Sequence, residues 1–357
     1  MEKFAVSTRK GLFIYSQHHQ KSEVISEHFL GDSVSAFTVD AGGDWFAALN
    51  TGHYGPKIRR STDQGKHWQE VGCPTLPEES EPDKKSTLEQ VWTLVSDPTQ
   101  AGKLWAGCIP AGLFYSEDAG DTWHLVEDLW QKPGREKWFG GGFDEAGIHS
   151  IVIHPDQPNR MTLAISCAGV WHSEDHGQHW QLACKGLRAE YMPEELAQDE
   201  AIQDPHLLVQ SPSNPDRMWI QHHNGIFISD DRGKQWKECV SDVGSSFGFA
   251  VAVHPKEANT AWFIPAIKDE SRYPESAALY VSKTTDGGSS FQAERTGLPQ
   301  QHCYDLVFRH AFKVNRDATL LVFGSSTGNL WWSLDEGSTW QIVNNFLPPI
   351  YAIDFIP

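Results

Sequence analysis

Ser116-Glu117-Asp118-Ala119-Gly120-Asp121-Thr122-Trp123 is one of six copies of a single pattern, Ser/Thr-x-Asp-x-Gly-x-x-aromatic. The others occupy 61–68, 173–180, 229–236, 284–291 and 333–340, beginning 49 to 57 residues apart. A fixed period of that size marks stacked repeats or propeller blades. Asp and Ser side chains bond nearby amides in turns, and Gly accepts a positive φ without penalty. The pattern therefore predicts a self-bonded turn anchored by Trp68, Trp123, Trp180, Trp236, Phe291 or Trp340. Six carboxylates spread around a ring cannot meet at one point, which argues against a catalytic role for Asp118 and its counterparts.

Around each turn the sequence supplies four short strands. In the third copy the runs 148–154, 161–166, 170–173 and 179–184 alternate with turn residues, as in an antiparallel sheet. A Pro turn recurs after the first run, at Pro98, Pro155, Pro212 and Pro255, where proline ends the strand. Inner strands are expected near 35–40, 90–95, 148–154, 206–210, 247–253 and 303–309. The run 350–355 reads as a seventh inner strand, completed by 4–7, 11–16 and 24–29 at the other end of the chain. The prediction is an all-β, seven-bladed β-propeller of four-stranded antiparallel blades. Pairing the N- and C-terminal strands closes the ring, and 1–357 forms one domain.

The six copies resemble the Asp-box, or BNR, repeat of sialidases, sortilin-type receptors, xyloglucan-active glycosidases and photosystem II assembly factors. The resemblance covers almost the whole chain and implies the propeller, not one activity. Sialidases hold the substrate carboxylate with three arginines, one in an early Arg-Ile-Pro motif. That motif is absent here, where the early arginines are Arg9, Arg59 and Arg60. Seven blades resemble the assembly factors or one half of a xyloglucan-active enzyme.

With 29 Lys and Arg against 47 Asp and Glu, the net charge is −18. Such a field opposes nucleic acid and anionic membranes. Six cysteines without a Cys-x-x-Cys pair predict reduced thiols and no zinc knuckle. The N-terminus shows no signal-peptide pattern, and the expected compartment is the cytoplasm.

The long insertions, 72–89, 127–147, 185–205 and 265–277, all fall on one face, opposite the repeated turns. Insertions gathered on one face of a repeat protein mark a binding face. On 127–147, Trp130, Arg135, Trp138 and Gly140 to Gly142 suit either a stacking lid or a loop folded inward. The segment 189–202 suits a short helix. Of the 17 histidines, His53, His149, His206, His222 and His223 fall where strands meet this face. Adjacent residues point to opposite sides of a strand, so one of His222 and His223 faces the channel.

Three function classes follow. A binding or assembly propeller would take a small-molecule or protein ligand at the insertion face, with Arg9, His53, Arg135, Trp138, His223 and Tyr304 as contacts. A carbohydrate-directed hydrolase or lyase would use Glu89, Asp144 and Asp204 as acid and base. A metal-dependent protein would hold a divalent transition metal with His53, His149, His206 and His222.

Overall fold

The computed structural model describes residues 1–77, 87–140 and 143–357. They form seven four-stranded antiparallel sheets. Six are sequential, with inner strands Ser33–Val39, Gln90–Ser96, Ile148–Ile153, Pro205–Gln210, Gly248–Val253 and Phe312–Val314. The seventh takes its inner strand, Ile350–Ile356, from the C-terminus and Glu2–Thr8, Gly11–His18 and Lys21–His28 from the N-terminus. The expected seven blades and their closure are therefore observed. Closure pairs Ile350–Ile356 with Glu2–Thr8, so neither terminal strand is left with that edge open.

The repeated turns bond internally. Ser116 Oγ donates to Asp118 Oδ1 at 2.8 Å and accepts the Gly120 amide at 2.9 Å. Asp118 Oδ1 also accepts the Thr122 amide at 2.8 Å. Gly120 has φ of 88°, which a side chain would strain. The indoles of Trp180 and Trp340 donate within their own turns, and others tie blade to blade. Trp123 Nε1 donates to Gly72 O at 3.1 Å, and Trp236 Nε1 to Ala183 O at 2.8 Å.

One feature bears directly on the channel. In six blades the ladder between the first and second strands skips a residue close to the insertion face. The skipped residues are Ser35, Trp92, His149, His206, Phe249 and Tyr351. Such bulges re-aim a side chain at the expense of one ladder position. Three bulge residues bond the backbone of the following blade. Ser35 Oγ reaches Val91 O at 2.7 Å, His149 Nε2 reaches Pro205 O at 2.8 Å, and His206 Nδ1 reaches Gly248 O at 2.6 Å. In each case the acceptor immediately precedes the next bulge.

The sixth blade departs from the expectation of a strand at 303–309. Its inner strand is Phe312–Val314, and 303–309 runs irregularly. Asp305 explains the difference. Its carboxylate accepts from Ser325, Thr327 and Asn329, and Leu306 exchanges bonds with Ser326. The segment is thus pinned to the neighbouring turn instead of joining the ladder. The helix expected over 189–202 is reduced to one 3-10 turn, Glu200–Ile202, where Asp199 caps the Ala201 amide.

Candidate functional site

The fourth blade builds a cluster of ionisable groups at the start of its inner strand. Asp204 and His223 lie opposite one another, with the His223 amide donating to Asp204 O at 3.0 Å. His206 joins them from the bulge. The Asp204 Oδ2 atom stands 3.3 Å from His206 Nε2 and 3.3 Å from His223 Nδ1. The three ligand atoms all lie within 4.8 Å of one another. Asp204 and His206 are buried, and His223 is partly exposed.

The surroundings orient each group. Asp204 Oδ1 accepts the Cys167 amide at 3.1 Å. His206 stacks on Phe249, with centroids 4.4 Å apart. Because Gly248 O can only accept, His206 Nδ1 carries a proton. Burial pulls the His206 pKa below its ordinary value, against the pull of Asp204, which favours a neutral ring. A neutral ring then turns its Nε2 lone pair toward a carboxylate oxygen. Burial raises the Asp204 pKa, while a hydrogen bond from His223 and the Arg309 charge lower it; the further lowering by His206 would require a proton on Nε2, which the neutral ring lacks. Burial, followed by Asp204, pushes the Cys167 thiol up, which favours the neutral thiol over the thiolate.

The cluster opens on a cavity of about 800 Å³ at the insertion face. Asp204 and His223 lie in its wall with Tyr191, Phe247, Asp269 and Glu270. Tyr191 comes from the 185–205 insertion. Its hydroxyl donates to Ile202 O, and its ring lies 4.9 Å from His223. A second cavity, of about 350 Å³, lies among the bulge residues Ser35, Trp92, Phe249 and Tyr351, with Arg272, Arg309 and His310.

The propeller has known relatives in shape. No protein-family model matches the chain. A probable oligoxyloglucan-reducing end-specific xyloglucanase from Neosartorya fischeri is 22% identical over 243 residues, 61% of this chain and 29% of that protein. This chain thus spans less than a third of that curated relative. An ancestral GH74 enzyme superposes with a TM-score of 0.59 at 16% identity, over 90% of this chain and 38% of that one. The structure of YCF48 bound to a D1 peptide superposes at 0.55 and 11%, over 91% and 87%. A putative 6-phosphogluconolactonase from Bacteroides uniformis superposes at 0.61 and 11%, over 99% of both chains. At these identities the likeness shows the fold alone, a seven-bladed propeller of the kind that the repeated turns imply.

Of the residues singled out in the sequence, Asp204, His206 and His223 come together. The others do not join them. His149 is fully engaged by Ser150 Oγ at 2.8 Å and Pro205 O. His222 points the opposite way from His223 and packs on Phe227, 5.3 Å between centroids. His53 is exposed on the 3-10 turn Gly52–Tyr54. Glu89, Asp144 and Arg9 are exposed and outside both cavity walls. Tyr304 is exposed against Tyr273.

The 127–147 insertion folds inward. Trp138 lies 5.7 Å from Trp171, and the Arg135 guanidinium stands 3.5 Å over Trp130 and donates to Ala111 O. Phe139 and Gly140 still reach the larger cavity, and Phe143 reaches the smaller one. Gly141 and Gly142 lie outside the described residues. No helix among the described residues is long and apolar enough to cross a membrane.

Proposed function

We propose that this propeller binds a small polar ligand in the larger cavity of its insertion face through a divalent transition metal. Asp204, His206 and His223 would be the protein ligands. The observation that carries the reading is the His206 ring. Its Nδ1 proton is committed to Gly248 O, which leaves Nε2 as a lone-pair donor aimed at Asp204. Metal-ligating histidines characteristically donate the other ring N–H to a backbone carbonyl in this way.

A proton on Nε2 is the competing account. Burial opposes an imidazolium there. The 3.3 Å separations also exceed the roughly 2.7–2.9 Å of charge-assisted hydrogen bonds. Ligands about 2.1 Å from a tetrahedral zinc ion are about 3.4 Å apart, close to the two Asp204–histidine separations, while the two histidine atoms lie within 4.8 Å of each other. Three protein ligands leave a coordination position for water or substrate, as in catalytic zinc sites. The carbohydrate-directed reading gains less, because Glu89 and Asp144 lie away from both cavities.

Untagged protein stripped with chelator and titrated with Zn²⁺ or Mn²⁺ in a calorimeter tests the reading. One equivalent should bind to the wild type, and H206A and D204A should lose it. No stoichiometric uptake of either ion, or uptake unchanged in H206A, would sink the proposal.

A further inference from the structure

Arg309 occupies an unusual position in the smaller, central cavity. It belongs to the irregular 303–309 segment and projects among the bulge residues. Its guanidinium carbon lies 4.9 Å from the Trp92 ring centroid and 5.1 Å from that of Phe249. Among the described residues no acceptor bonds it, and its Nε is buried without a partner. Burial pulls its pKa to about 10, so it remains charged at neutral pH. Arg272 lies 5.3 Å from the same Phe249 ring, with Nε donating to Asp269 Oδ1 at 3.1 Å.

The rest of the wall matches one ligand chemistry. It supplies Ser33, Ser35, Asn50, Gln90, His310 and Tyr351, and among the described residues it contains no carboxylate. His310 cannot serve as an acceptor through Nε2, which donates to His149 O at 2.7 Å. In a chain of net charge −18, an arginine-bearing chamber with no acid among the described residues of its wall favours an anion. A buried guanidinium lacking an acceptor is matched by a planar or tetrahedral oxyanion. We propose that the central chamber is a second binding site, in which Arg309 holds the carboxylate or phosphate of a small molecule between Trp92 and Phe249. It adjoins the cluster at Asp204, His206 and His223 through Phe249, on which His206 stacks, but does not depend on a metal there.

Calorimetric titrations with benzoate and with inorganic phosphate test this site and distinguish the two oxyanions. At least one should bind wild-type protein with one-to-one stoichiometry, and R309M should weaken it by about tenfold or more. Wild-type protein stripped of metal with chelator should bind the same anion as untreated protein, so failure of the metal reading leaves this result intact. Should R309M not fold, crystals of wild-type protein grown with the anion decide the matter by showing whether it contacts Arg309. Neither anion binding, equal binding by R309M, or an anion seated away from Arg309 would overturn the assignment.

Discussion

The His149 imidazole donates from Nε2 to the Pro205 carbonyl at 2.8 Å, joining the bulge of the third blade to that of the fourth. His206 repeats the relationship one blade further on, toward Gly248. Two histidines at equivalent positions thus share an inter-blade structural bond, but only His206 has a second nitrogen directed at a carboxylate. The second nitrogen of His149 faces the Ser150 hydroxyl, which completes a neutral ring whose pKa burial holds well below the ordinary value.

Replacing His149 should therefore affect folding and not metal uptake. His149→Phe retains bulk and leaves the Pro205 carbonyl without its donor. The expected loss is about 1–3 kcal/mol of stability, measured by urea denaturation. Metal stoichiometry should stay at the wild-type value. Loss of metal with unchanged stability would shift the site toward the third blade.

How much of this was legible in the sequence depends on the range of the interactions involved. The turn at 116–123 bonds within itself, so its six copies reveal six blades and the insertion face, and the strand-like runs at the two ends of the chain supply the seventh. Alternation along a strand separates His222 from His223. The grouping of Asp204, His206 and His223 is harder to read because it depends on a one-residue bulge between paired strands. Residue spacing alone does not show that bulge. Arg309 was hidden for a related reason. Its segment has strand-like composition, but Asp305 draws it into side-chain bonds with Ser325, Thr327 and Asn329.

The repeated turns should govern acid stability. Burial would raise the Asp175 pKa, but the His179 amide and ring and Ser173 bring it to about 2. For Asp63 the His67 amide leads, again to about 2. A carboxyl with a depressed folded pKa contributes stability above its unfolded value near 3.9, and that contribution is lost as pH falls toward the folded value. Asp175→Asn should flatten the loss of thermal stability between about pH 4 and pH 2. A slope identical to wild type would show that the turn contributes nothing in acid.

Asp354 should act in the opposite direction. It lies on the ring-closing strand with Lys313 Nζ 4.0 Å away. Burial raises its pKa to about 7, more than Lys313 lowers it. The folded state then binds the proton more tightly than the unfolded state. Stability should decline as pH rises from about 4 to about 7 and level off above that range. Partial exposure of the side chain, 30%, screens part of the effect. Asp354→Asn should raise the melting temperature at pH 8 relative to wild type and leave it nearly unchanged at pH 4. Equal shifts at both values would assign the effect to packing.

His222 and His223 offer the sharpest separation of scaffold from site, because they are neighbours with opposite surroundings. His222 is buried against Phe227, and its Nδ1 accepts the Asn224 amide at 3.1 Å. Burial lowers its pKa to about 3, so it packs as a neutral ring. His222→Ala removes that ring from a closed interior and should cost about 2–4 kcal/mol. It should still bind one equivalent of metal under conditions where the fold is intact. The His223 side chain is 21% exposed and borders the larger cavity. His223→Ala should cost less than about 1 kcal/mol and weaken Zn²⁺ binding by about tenfold or more. Denaturation and calorimetry on the same two variants separate these effects. A His223→Ala protein with wild-type zinc affinity would remove that residue from the ligand set even if His206 kept its place.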